Sequence, residues 1–413
     1  MSTKVEFLHA DQIGGCVTLI STETTKICID FGANLEGSKY KEDLEIVGLT
    51  YGKADYDAVF FTHYHGDHIG RFDKLLPTIP LYMSSLCREA TLNVYQALAR
   101  HDASYQKQID VLEDETHTHL IWAEQVIEIG DIKVIPYMID HSATATMMFV
   151  IETPDKRILH MGDFRTHGYI GEKWELLLRN YVLKKPVDIL ITEGTNLART
   201  GFYVSEAEVA AQAETLVKQH KLIFCLCAST NFIRLSGFYR AAYRAHKPTL
   251  ANGYMIKQFE SYYQYKQELF ERLRNVKLDF QLAPDRIYRL LVDREELRYK
   301  KAYQIQEQTL QKRGAVIWVC GANAVSTLKK LFEKYKALNP LLIYSLWSGY
   351  IENKGAEYYD VDLAELCNNY STVQLHTSGH ASKESVEWLI KFVNALDYTA
   401  IIHSERAEIR KAK

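Results

Sequence analysis

Apolar and polar positions alternate with a period of two through the first half of the chain and take a helical period in much of the second. In "GCVTLISTETTKICIDFG" (15–32) apolar residues alternate on either side of a polar turn. The stretch "TMMFVIETPDKRILHMGDF" (146–164) repeats that plan around Pro154 and Asp155, so both predict β-hairpins. Further strands are expected at "DAVFFT" (57–62), at "PLYMS" (80–84) and within "QVIEIGDIKVIPYMID" (125–140), with one helix near "LCREATLNVYQALARH" (86–101).

From about residue 196 the texture changes. The run "LIFCLCA" (222–228) leads through "STN" into "FIRLSGFYRAAYRAH", which places Phe232, Leu235, Phe238 and Ala242 on one helical face. Next come the strand "GAVIWVC" (314–320), the helical "NAVSTLKKLFEKYKAL" and the strand "LLIYSLW" (341–347). Alternating strands and helices predict a parallel sheet covered by helices. After about residue 371 one more strand, the helix "KESVEWLIKFVNAL" and the strand "YTAIIH" complete the chain. No repeat or low-complexity linker marks the joints, so the expected division is 1–195, 196–371 and 372–413.

Composition narrows this picture little. At 413 residues with 47% apolar side chains the chain can bury a real core, and a net charge of −3 excludes a wholesale basic coat. A nucleic-acid partner would have to meet a local positive groove. Seven cysteines without CxxC spacing, and no apolar run of the ~20 residues a span needs, read as a cytoplasmic protein with no membrane partner.

The chemistry enters at "FFTHYHGDHIGRF" (60–72), where His63, His65, Asp67 and His68 stand directly after a buried-looking strand. Convergent polar side chains at such a place leave unpaired groups unless something binds them. His63 and His65 can clasp one ion, while Asp67 and His68, displaced along the loop, address a neighbouring point; the spacing predicts two ions. Imidazoles and carboxylates suit zinc, with manganese the alternative where oxygen ligands dominate.

This H-x-H-x-D-H string resembles that of the metallo-β-lactamase superfamily, and the remaining motifs follow in order. Asp30 in "CIDFG" resembles its first aspartate, which orients the histidine loop. His141 in "IDHSA" resembles a further ligand, and Asp163 in "HMGDF" the bridging carboxylate. The resemblance implies that His63, His65 and His141 hold one ion, that Asp67 and His68 help hold the other, and that Asp163 spans both. The last histidine, His403 in "AIIHSE", lies 240 positions beyond Asp163, so a whole α/β domain intervenes. That arrangement resembles the β-CASP nucleases, with Glu193 in "ILITEGT" as motif A, His380 in "HTSGHAS" as motif B and His403 as motif C. "STN", "YSLWSGY" and "SGHA" are similar to ribonuclease J in particular.

The implied fold is α/β: a metallo-β-lactamase αββα sandwich with an inserted β-CASP α/β domain. The chain stops ten residues after His403, and "IIHSE" replaces the more usual "PVHGE". Under the resemblance it is therefore a short form without the C-terminal domain that helps build a homodimer.

The implied activity is hydrolysis of single-stranded RNA by a metal-activated water, cutting internally or from the 5′ end. DNA is the alternative substrate, and a small-molecule hydrolase the alternative class. Histidine at motif C favours RNA, since the DNA-repair branch has valine there. Asp67 belongs to the reacting centre, and Asp30 serves it through the histidine loop. His380 is the expected proton donor to the leaving oxygen, with Glu193 accepting a hydrogen bond from its ring. Ser229, Thr230, Asn231, Ser348, Ser378 and Gly379 are candidate phosphate contacts at strand-to-helix junctions, helix capping being an equal reading for 229–231. His117 and His119 in "THTHL" lack a following Asp-His pair, and His376 reads as structural or as a support behind the ligands. The tyrosine-rich "FESYYQYKQELFERLR" (259–274) reads as helix packing before base stacking.

Overall fold

The computed structural model describes residues 2–201, 203–272, 287–289 and 307–412. The chain packs as two compact units, one from Met1–Tyr203 and Ser378–Lys413, the other from Val204–Thr377.

Among the described residues the first unit carries two sheets. One runs in chain order through β1 (Lys4–Leu8), β2 (Val17–Ser21), β3 (Lys26–Ile29), β4 (Ala58–Phe60), β5 (Leu81–Met83) and β6 (Thr118–Leu120). The other takes β7 (Ile127–Ile129), β8 (Ile132–Met138), β9 (Met147–Glu152), β10 (Arg157–His160) and β11 (Ile189–Glu193). After the second unit the chain returns to this sheet with β18 (Tyr398–Ile402) and β19 (Glu408–Lys411), giving the order β19-β18-β11-β10-β9-β8-β7. The two expected hairpins are β2–β3 and β9–β10, both antiparallel.

Both faces of the second sheet are covered, which is why β9 reads "MMFVI" and not as a clean alternation. Met147, Phe149 and Ile151 share a buried cluster with Ile27, Ile29 and Phe60 of the first sheet. Met148 and Val150 join Trp174, Leu178, Leu389 and Val393 on the other face. Truncating Phe149 to alanine at this seam would cost about 3–5 kcal/mol. The outer helix Lys383–Val393 starts where the Ser382 hydroxyl accepts the Ser385 N–H at 3.2 Å, and it stops at Asn394, whose φ of 48° turns the backbone left-handed.

The second unit is a parallel sheet: β12 (Leu222–Cys227), β13 (Thr249–Ala251), β14 (Ile287–Arg289), β15 (Ala315–Val319), β16 (Leu341–Ser345) and β17 (Thr372–Gln374), ordered β14-β13-β15-β12-β16-β17. The helix Phe232–Arg244 buries the expected face, Phe232, Leu235, Phe238 and Ala242. In the helix Gly253–Arg272, Phe259, Tyr262 and Tyr265 are buried and Tyr262 stacks on Phe232, so this segment packs; Leu273 and Arg274 lie outside the described residues.

The units divide at 203/204 and 377/378, eight and six residues beyond the joints that texture predicts at 195/196 and 371/372. Thr195 and Asn196 bond to His403 and Ser378 and stay with the first unit. The strand at 372–374 pairs parallel with β16 and stays with the second. Among the described residues no helix is long and apolar enough to cross a membrane.

Candidate metal centre

The site residues leave from strand ends at one edge of the first unit. β3 and β4 run parallel and deliver Asp30 and the 62–68 loop. β10, β11 and β18 also run parallel, and Glu193 at the end of β11 stands opposite Ile402 at the end of β18. That register brings His403 beside Glu193 despite the intervening unit.

The histidine loop is laced to the chain after β3. Phe31 N–H donates to His68 O at 2.8 Å, Ala33 N–H to Gly66 O at 2.8 Å and Gly15 N–H to Asp67 O at 3.0 Å. The approach is so close that a Cβ on Gly32 would stand 1.8 Å from Asp67 O, which makes glycine obligatory there. Asp30, in the left-handed region at φ 59°, sits behind this loop and not at its reacting face. Its carboxylate accepts Thr62 N–H, the Thr62 hydroxyl and His68 Nδ1–H, each at 2.8 Å. Because Thr62 donates to Asp30, its oxygen is left to accept from His63 Nδ1 at 3.0 Å, so His63 presents Nε2 as a lone pair.

Three ring nitrogens then face one another. His63 Nε2 lies 3.0 Å and His141 Nε2 3.2 Å from His65 Nδ1. His141 Nδ1–H donates to Gly379 O at 2.6 Å, which again leaves Nε2 as the lone pair. Burial, reinforced by the other imidazoles, holds the His63 pKa well below its ordinary value; burial likewise drives His141 well down and His65 to about 4. Three neutral imidazoles that turn ring nitrogens toward one point form the donor set of a cation site.

A second group lies alongside, with Asp67, His68 and His403 offering atoms within 4.8 Å of one another. His403 Nε2 is 3.2 Å from Asp67 Oδ2, while its Nδ1 meets Thr195 Oγ1 at 3.0 Å. Asp163 stands between the groups, its Oδ2 3.1 Å from His68 Nε2 and 3.9 Å from His141 Nε2. His68 Nε2 and Asp163 Oδ2 are close yet misaligned, and both are buried atoms without a hydrogen-bond partner among the described residues. Burial opposes the charge on Asp163, but His403, His68 and His380 outweigh it and hold its pKa far down. Burial also opposes charge on His68, where the Asp163 and Asp67 carboxylates raise the pKa. Three imidazoles on one side, Asp67 with two more imidazoles on the other and the Asp163 carboxylate between them fit divalent metal.

Beside this centre His380 Nδ1 lies 2.9 Å from Glu193 Oε2 and 3.5 Å from Asp163 Oδ2. Burial disfavours its charge, yet the two carboxylates raise its pKa to about 9. Glu193 Oε1 accepts Phe164 N–H at 3.0 Å, so Glu193 is a buried strut of the site and not a surface ion-pair partner. Ser378 Oγ, a candidate phosphate contact, already accepts His380 N–H at 3.1 Å and an Asn196 amide N–H at 3.2 Å.

The remaining candidates belong to the second unit. Asn231 Oδ1 accepts Arg234 N–H at 3.2 Å and caps a helix, Ser229 Oγ is 3.5 Å from the Tyr254 hydroxyl, and Ser348 precedes the short helix Gly349–Glu352. His119 lies across from Tyr82 in the β5–β6 pair, its ring tilted 31° to the tyrosine at 5.0 Å, and it is in none of the ligand groups.

Sequence reasoning missed the supports: Thr62, Thr195, Asn196, Asp140 and Arg165. Two carried a readable signal, since Asp140 precedes His141 and Arg165 follows Asp163 by two, both charged at apolar strand ends.

Residues 47–222 match the beta-lactamase superfamily domain. Ribonuclease J of Corynebacterium glutamicum is 24% identical over 261 residues, covering 60% of this chain and 34% of that protein. Ribonuclease J 2 of Streptococcus pyogenes is 24% identical over 220 residues, covering 50% and 38%, and ribonuclease J of Mycoplasma pneumoniae 25% over 174, covering 41% and 29%. The chain thus aligns with about a third of the length of these curated relatives. The crystal structure of a protein of unknown function from Enterococcus faecalis V583 superposes with a TM-score of 0.70 at 20% identity, over 97% of this chain and 94% of that one, a likeness of fold.

Proposed function

From the premise that this chain carries a β-lactamase superfamily domain and is ribonuclease J-like, we propose that it is a metal-dependent phosphodiesterase acting on single-stranded RNA. The observation that carries this reading is the convergence of His63, His65 and His141 on one point and Asp67, His68 and His403 on the next, with Asp163 between them. Two zinc ions, or manganese, would supply an activated water and neutralise the phosphodiester.

The chain's own part is to hold and to donate. Asp30 fixes His68 directly and His63 through Thr62, so both present Nε2 towards the centre. His380, held by Glu193 at 2.9 Å and 3.5 Å from Asp163, delivers its proton to the departing oxygen. Ser378 and Gly379, on the same loop as His380, are assigned to the phosphate.

The test is degradation of 5′-labelled single-stranded RNA and DNA by the purified chain with Zn2+ or Mn2+. RNA cleavage is expected, and early product sizes separate internal from stepwise cutting. Cleavage of DNA alone would overturn the RNA reading; inertness toward both would overturn the nuclease.

A further inference from the structure

Asp140 and His141 are neighbours in sequence with different partners. The Asp140 carboxylate gathers Arg165 Nε at 2.6 Å, Ile170 N–H at 2.8 Å and Gly171 N–H at 3.0 Å, while its carbonyl accepts Arg165 N–H at 2.7 Å. The 165–171 loop is therefore wound around one buried carboxylate, so tightly that a Cβ on Gly168 would stand 2.0 Å from it. From this knot two donors reach a single carbonyl: His167 Nε2 lies 2.8 Å and Arg165 Nη1 3.5 Å from Ser378 O.

Ser378 O opens the loop that carries Gly379 O, the acceptor of His141 Nδ1–H, and His380, the ring beside Asp163. That loop has little slack. A Cβ on Gly379 would fall 2.4 Å from Ser142 Oγ, and Asn196 grips the far end through Ala381 O at 3.1 Å. Where the Ser378 carbonyl goes, the orientation of His141 and the place of His380 follow.

We propose that Arg165 and His167 are positioning residues that set the Ser378 carbonyl and, through the 378–381 loop, orient His141 for metal and His380 for proton donation. The proposal rests on the metal-dependent reading above, and it says why a fully buried arginine is kept beside a ligand histidine. Hydrogen bonds to the groups that orient ligands typically govern metal affinity over about 10- to 100-fold.

The test is competition of the full chain against a chelator for Zn2+, read without RNA, with melting temperature and RNA kinetics alongside. His167→Leu should weaken Zn2+ binding by about 10-fold and lower kcat with KM kept, in a chain that melts like wild type. His167→Gln, whose amide N–H can reach the same carbonyl, should recover most of both. Wild-type Zn2+ affinity in a well-folded His167→Leu would overturn the proposal. Equal losses in the Leu and Gln variants would overturn it too, by assigning the effect to ring packing on Tyr203. If His167→Leu does not fold, Arg165→Lys, which keeps the charge beside Asp140 but gives up the reach to Ser378, takes its place, and wild-type Zn2+ affinity in that folded variant would overturn the proposal. A wild-type chain that binds Zn2+ but cuts no RNA would sink the nuclease while leaving this test intact.

Discussion

Each unit buries a set of charges, and the two sets differ in how completely they are matched. In the second unit Arg234 meets Glu206 through Nε at 2.8 Å and Nη2 at 2.7 Å, and its Nη1 meets Ser345 Oγ at 2.6 Å. Its Nη2 also donates to Thr377 O at 3.3 Å, and Arg234 is 1% exposed. In the first unit more charge is crowded into the strand ends, yet His68 Nε2 and Asp163 Oδ2 have no hydrogen-bond partner among the described residues and three imidazole nitrogens crowd one point. A satisfied buried pair is architecture, whereas an unsatisfied one marks a place for a ligand.

The largest effect should come from breaking the unmatched side. Chelating the metals, or replacing His65 by alanine, should abolish RNA cleavage; Zn2+ should restore the chelated wild type and leave His65→Ala inert. Zn2+ should also raise the wild-type melting temperature, since a ligand at about 1,000 times its dissociation constant adds about 4 kcal/mol to the folded state. Undiminished cleavage in excess chelator would remove the distinction between the two regions.

The matched side predicts the opposite pattern. Arg234→Met takes the guanidinium from the buried Glu206 carboxylate and should cost about 3–5 kcal/mol in urea unfolding, whereas Arg234→Met with Glu206→Leu should regain most of it. Metal content should be unchanged in every variant that folds. A loss of Zn2+ binding in the folded double variant would mean that Arg234 serves the centre after all.

How much of this was legible in the sequence follows the range of the interactions. The hairpins and the helix Phe232–Arg244 are local, set by periodicity, and their residues stand as the patterns imply; the H-x-H-x-D-H loop is equally local in the sequence. Glu193 and His403 could be named only through resemblance, because the β11–β18 register that joins them spans the whole second unit. The helix Glu206–Gln219 went unread: its alanines blunt the apolar contrast, although the Ser205–Glu208 capping box was in plain view. The Glu206–Arg234 pair and the Asp140–Arg165 knot are contacts across folds of the chain, for which a pattern along the sequence has no term.

Smaller in scale is the effect on proton transfer. His380→Ala should lower kcat by about 10²-fold or more with zinc content unchanged, since the proposed ligand sets of His63, His65 and His141 and of Asp67, His68 and His403 do not include it. The quantities to measure are kcat by single-turnover cleavage and zinc per chain by elemental analysis. Full activity in this variant would transfer the role of acid to another group and reduce Glu193 to a support for Phe164 and Ala381.

The smallest effect probes whether Asn231 is matched architecture or a phosphate contact. Its side chain accepts Arg234 N–H at 3.2 Å, so as a cap alone it should cost about 1 kcal/mol when replaced by alanine and little when replaced by aspartate, an equally good cap. A phosphate contact predicts a different order: Asn231→Asp would keep the stability but set a carboxylate against the RNA backbone and raise KM, increasingly so at low salt. Urea unfolding of both variants separates these readings from a folding defect. Unchanged KM in Asn231→Asp would leave Asn231 with the cap alone and place it on the same side of the comparison as Arg234.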